Sequence, residues 1–179
     1  MGERLLEPFE TYGWTPDAKL SDDDNMLDLL LIVTRCSKLK QGSMACIITR
    51  PAKDSEDETL LSRIQSVANN QEMYKPKSSD IHAEVAALGY AARYGRPTDQ
   101  CTAYITMPPC RKCFSALYCA GINRVVSVHQ PSTQFASFGI ELVGATNIQE
   151  NRARVQVFFD KIVIGKTTHE CGKKREREE

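Results

Sequence analysis

The sequence predicts a layered α/β domain built on a partly parallel sheet, and three observations carry that expectation. Segments of helical and strand periodicity alternate along most of the chain, in the order α-β-β-α-β-α-β-β-α. Glycine, proline and polar clusters punctuate them at short intervals. The length of 179 residues suits one domain with a proper core.

Residues 1–20 read as irregular, with Pro8, Gly13 and Pro16 as breakers. Ser21-Asp22-Asp23-Asp24 is a helix start, a capping residue followed by acids that suit the dipole. Met26, Leu29, Leu30, Val33 and Cys36 then form a helical stripe that Gly42 ends. Residues 44–49 are a nearly continuous apolar run and read as a buried strand. Residues 60–67 are a second strand, paired with the first across an acidic turn at 51–58. A polar loop spans 69–80. Helix resumes near His82, with Val85, Leu88, Gly89 and Ala92 on one side, and stops at Tyr94-Gly95-Arg96-Pro97. Residues 101–107 read as a strand, 110–120 as a helix closed by Gly121, and 125–129 and 140–143 as strands. Ile148, Val155, Phe158, Phe159 and Ile162 place a last helix at 147–162. Residues 165–179 are polar, end in Lys-Lys-Arg-Glu-Arg-Glu-Glu and read as a charged, mobile tail whose basic cluster is a weak localisation motif. The domain proper is therefore expected at 21–164.

Lys+Arg and Asp+Glu balance at 23 each, so no global field draws in a polyanion, and composition gives nucleic-acid binding no support. The apolar run at 26–33 is too short for a membrane span, and nothing at the N-terminus has the form of a secretory signal. Seven cysteines, an odd number, point to a reducing, intracellular setting, cytoplasmic or nuclear, in which most thiols act as small core residues.

Two motifs stand apart: His82-Ala83-Glu84 and Pro109-Cys110-Arg111-Lys112-Cys113. Each falls at a predicted helix start. Cys110 and Cys113 put two sulfurs on one side of a first helical turn, where the helix N-terminus and a metal both favour the thiolate. His82 adds an imidazole from a separate helix start. One His and two Cys leave the fourth tetrahedral position open for water, the mark of a catalytic site, and zinc suits these ligands best. Glu84 need not be a ligand; its spacing sets a carboxylate beside that water as a proton carrier. A redox Cys pair would leave His82-Ala83-Glu84 unexplained. A closed structural site would need a fourth ligand, for which His129, at a strand end, and His169 and Cys171, in the tail, are the notable candidates.

At these residues the chain resembles the cytidine and deoxycytidylate deaminase superfamily, whose signature is H-x-E followed by P-C-x-x-C. Residues 81–88 look like its zinc helix, and 102–110 like its third strand running into the ligand loop. Residues 120–126 and 138–143 are similar to deoxycytidylate deaminases in particular. The resemblance covers about residues 26–147. It implies a three-layer α/β/α cytidine-deaminase-like fold with a five-stranded mixed sheet between helices. It also implies a zinc-bound water, Glu84 as proton shuttle, a small-molecule nucleotide or nucleoside as substrate, and a homo-oligomer. Many members place a substrate-contacting asparagine at the end of the second strand; Asn69 or Asn70 fits, and Asn69 is preferred here. The chain departs from the family in its acidic 52–58 turn and in its short 131–138 connector, which leaves the direction of the fifth strand open. The first 20 residues match nothing in the pattern.

The activity this implies is hydrolytic deamination of a cytosine-type nucleotide or nucleoside, with Arg50, Arg63, Arg111 and Lys112 as possible phosphate contacts. Two other readings use the same motifs: deamination of adenosine in tRNA, and a non-catalytic zinc partner subunit, which would have no need of Glu84.

Overall fold

The computed structural model describes residues 5–39, 42–53 and 58–160. The Ser21 hydroxyl accepts from the Asp24 N–H at 3.0 Å and opens α1 (Asp22–Arg35), whose first turn holds Asp22, Asp23 and Asp24. The expected stripe of Met26, Leu29, Leu30 and Val33 is fully buried, joined by Leu27 and Ile32. All five residues of β1 (Ala45–Thr49) are buried, as a central strand requires. The second strand begins later than its apolar run suggested. Residues Leu61–Arg63 wind into a 3-10 turn, with the Ser62 hydroxyl and N–H bonded back to Thr59, and β2 (Ile64–Asn69) follows.

The remaining elements are α2 (Ala83–Arg93), β3 (Thr102–Ile105), α3 (Arg111–Cys119), β4 (Arg124–Ser127), a 3-10 helix at Thr133–Phe138, β5 (Glu141–Gly144) and α4, helical over 148–160. The expected helix end at 162 and the tail at 165–179 lie outside the described residues. Gly121 takes φ +78° past the end of α3, and a Cβ there would sit 2.9 Å from Asp99 Cα, so the chain needs glycine at this turn.

The five strands form one mixed sheet in the order β2-β1-β3-β4-β5. β1 is antiparallel to both neighbours, while β3, β4 and β5 run parallel. The fifth strand is thus parallel. Its crossover runs over 128–140 and includes the 3-10 helix, which gives it the dozen or so residues a parallel return needs. Side-chain alternation splits the core into two layers. Cys46, Ile48, Ala103, Ile105 and Val125 face α2 and α3, where Phe114 stacks on Phe135 at 4.1 Å. Ala45, Ile47, Tyr104 and Val126 face α1. The result is the three-layer arrangement expected.

The irregular N-terminal segment is packed onto this body. Leu6 is buried in the α1-side core, with Phe9 and Trp14 against it. The Asn25 side chain ties the segment to α1, accepting from Asp17 N–H at 2.8 Å and donating to Asp17 C=O at 3.0 Å.

Candidate metal centre and active cleft

Two helix starts meet at the ends of β1 and β3. The Gln71–Ile81 bridge fixes the backbone just ahead of α2, and His82, in extended conformation, is its N-cap. Cys110 is the N-cap of α3, and Cys113 lies in that helix's first turn. Neither cap makes a side-chain bond to its own helix, so imidazole and thiol are both free to turn toward each other. His82 Nδ1 lies 3.3 Å from Cys113 Sγ and 3.8 Å from Cys110 Sγ, and the three ligand atoms fall within 4.8 Å of one another. Tetrahedral zinc with its usual bond lengths sets nitrogen and sulfur ligands about 3.6 Å apart. The donor set and its spacing therefore fit zinc, and three ligands leave one position for water.

Electrostatics point the same way. Burial, the Glu84 carboxylate and Cys110 hold the Cys113 thiol well above its ordinary value. Cys46, wholly buried beneath, is pushed up by burial and then by Glu84 and Cys113, and stays a thiol. Soft donors and a carboxylate thus crowd a place that no arginine or lysine among the described residues lines. A divalent cation reverses that imbalance and favours the thiolates.

Glu84 is buried, 7 % exposed, and lines a cavity of about 210 Å³ beside His82 and Cys110. Met44, Ile105, Met107 and Pro108 give this cleft its apolar walls, and Asn70, Ser79 and Thr106 its polar ones. Asn69 is absent from the lining. Its Nδ2 donates instead to Val33 C=O at 2.9 Å and Met44 C=O at 3.0 Å, on the α1 side of the sheet. Asn70 takes the cleft-side place expected of Asn69, because one step along a strand exchanges faces. Its Nδ2 donates to Gly42 C=O at 2.6 Å and to Ser79 Oγ at 2.8 Å, and its Oδ1 accepts from Met44 N–H at 3.1 Å. Sequence reasoning missed Ser79 and Thr106 altogether; short hydroxyl residues beside loops carry no signal until the fold closes.

Of the four basic candidates, Arg50 pairs with Glu58 at 2.5 Å and Arg63 with Asp22 at 2.6 Å, away from the cleft. Arg111 and Lys112 are exposed on the first turn of α3, and Arg111 opens onto a separate aromatic cavity with Phe114, Tyr118 and Phe138. His129 is exposed at the end of β4, while His169 and Cys171 lie outside the described residues.

The sequence profile of the cytidine and deoxycytidylate deaminase zinc-binding region matches residues 20–129, which include the whole His82, Glu84, Cys110 and Cys113 constellation. The chain belongs to this family. Among curated proteins, the deoxycytidylate deaminase of Enterobacteria phage T4 is 33% identical over 72 residues, 40% of this chain and 36% of that protein. The cytosine deaminase of Candida albicans is 34% identical over 83 residues, 46% of this chain and 48% of that protein. The chain thus spans less than half the length of either. Among solved structures, the dCMP deaminase from cyanophage S-TIM5 superimposes with a TM-score of 0.54 at 17% identity, covering 69% of this chain and 96% of that one. That likeness establishes the deaminase fold for this family member.

Proposed function

We propose that the protein is a zinc-dependent hydrolytic deaminase of a cytosine-type base, carried as a free nucleoside or nucleotide. The carrying observation is the buried Glu84 carboxylate in a base-sized cleft beside the His82, Cys110 and Cys113 cluster. Zinc, if held by those three residues, would supply Lewis acidity and make a water at the site a stronger acid, with a pKa of about 7. Glu84 takes one proton from the attacking water and delivers it to the ring nitrogen as oxygen bonds to the amine-bearing carbon; it then carries the second proton, from the new hydroxyl, to the amine, so that the carbon–nitrogen bond breaks and ammonia leaves. The apolar walls exclude bulk water and hold the ring flat. Asn70 acts as a positioning residue: it ties Gly42, Met44 and Ser79 into one rim, which fixes the cleft's width.

The cleft is small beside the roughly 300–1,000 Å³ of common ligand sites, which suits a single base. No described cation lines it, so recognition centres on the ring, with Arg111 and Lys112 left as the phosphate candidates not already in ion pairs. The test is ammonia release from cytosine, cytidine, deoxycytidine, deoxycytidylate and an anticodon stem-loop, side by side with zinc-loaded protein. Turnover of a free cytosine compound is expected. Turnover of the RNA alone overturns this reading in favour of tRNA adenosine deamination, and no turnover with full zinc occupancy favours the non-catalytic partner subunit.

A further inference from the structure

The two edges of the sheet are treated differently. β5 is a four-residue strand that begins with the exposed Glu141, held by Arg124 at 3.2 Å. Charge and short length protect such an edge against further pairing. β2 has no such protection: its residues are Ile64, Gln65, Ser66, Val67, Ala68 and Asn69, with neither charge nor proline.

The ladder with β1 turns the backbone groups of Ser66, Ala68 and Asn70 inward, as the Asn70 N–H to Met44 C=O bond shows. Alternation therefore turns those of Gln65, Val67, Asn69 and Gln71 outward. The outer two are satisfied, Gln65 C=O by Arg96 at 3.2 Å and Gln71 by its bridge to Ile81. Between them the N–H and C=O of Val67 and Asn69 make no outward bond among the described residues. These groups border a cavity of about 770 Å³. Three cations line it, Lys38, Arg93 and Arg96, against one acid, Glu72, whose carboxylate is already bonded to Lys77 N–H. Phe9 and Tyr90 supply apolar wall. Beneath, Ser66 is 1 % exposed and its hydroxyl has no partner among the described residues.

We propose that this edge of β2 is a docking site for an extended acidic peptide of another protein, which adds to the sheet as a sixth strand. Its backbone completes the bonds left open at Val67 and Asn69, and its alternate carboxylates meet Arg93 and Arg96 on the α2 side of the edge. The cavity volume holds a segment of a few residues, and the closed ends at Gln65 and Gln71 set its register.

The test uses the full zinc-loaded chain and a fluorescein-labelled hexapeptide of alternating valine and glutamate, read by fluorescence anisotropy at low salt. Saturable binding is expected, with slowed hydrogen exchange at the Val67 and Asn69 amides. N-methylation of the valines, which removes backbone donors, is expected to weaken binding at least about tenfold, as is Arg93→Glu. Equal binding of the N-methylated peptide, or binding without protection of those two amides, overturns strand addition and leaves charge adsorption. Protection of the same amides on raising protein concentration alone, with dimer formation, overturns it in favour of a second copy of the chain. Absence of binding overturns it outright.

Discussion

Glu84 and the two neighbouring asparagines separate chemistry from scaffolding at single side chains. Glu84→Gln keeps the shape of the cleft and all three ligand residues. Zinc content, measured by atomic absorption, is expected to stay at one per chain while kcat falls by about 10²–10⁴, the range for losing a general acid–base. Asn69→Ala removes the donor that serves two carbonyls, that of the buried Val33 and that of the partly buried Met44. It should cost about 1–3 kcal/mol in urea unfolding and leave KM unchanged. Asn70→Ala unties the rim, so KM is expected to rise severalfold with a smaller effect on kcat. The reverse pattern between the two asparagines would restore Asn69 as the cleft residue. Which of the pair faces the cleft was not legible in the sequence. The choice turns on strand parity, and parity depends on where β2 ends, the least certain part of any periodicity argument. The candidate ligands were legible as a group because each is set by spacing within one helix start and needs no knowledge of the sheet.

At the scale of elements, helix starts and stops were the clearest signals, since Ser21, Gly121 and the Tyr94-Gly95 turn act through local backbone chemistry. Strand limits were less clear. The apolar run from residue 60 contains a 3-10 turn because Thr59 bonds Ser62, a competition between side chain and ladder that hydropathy does not register. The 69–80 loop, expected only as polar, has a centre. Asp80 accepts from the N–H groups of Met73, Tyr74 and Lys75 at 2.8–3.1 Å and from the Ser78 hydroxyl at 2.8 Å. Those bonds hold its carboxyl far below the usual range. The loop delivers Ser79 to Asn70, so Asp80→Ala is expected to raise KM, to speed hydrogen exchange across 73–79 and to leave zinc content unchanged. Gly121→Ala forces a side chain against Asp99 in a left-handed turn. A loss of about 2 kcal/mol or more in thermal or urea unfolding is expected.

For the molecule as a whole, one ion pair joins the start of α1 to the middle of the sheet. Asp23 takes both Arg124 nitrogens, at 2.7 and 2.8 Å, and the Tyr104 hydroxyl at 2.8 Å. The Arg124 bonds lower its pKa more than burial raises it. A carboxylate with a depressed folded pKa stabilises the fold above its unfolded value and loses that contribution as pH falls through the folded one. The stability gap between the parent chain and Asp23→Asn should therefore be full at pH 6 and shrink below about pH 4, as read by urea titrations across that range. Removing zinc with a chelator should lower the melting temperature. A site filled at a hundredfold excess over Kd contributes about 3 kcal/mol. The alternation along β1 sets a rule for lengths of coding sequence. Ala45 and Ile47 serve one core layer, Cys46 and Ile48 the other, so deleting a single codon within 45–49 would hand each layer the other's side chains while moving Met44 and Thr106 out of line with the cleft. The exposed residues 51–53 that follow β1 carry no such parity. Natural and laboratory variation in length should collect there and stay out of β1.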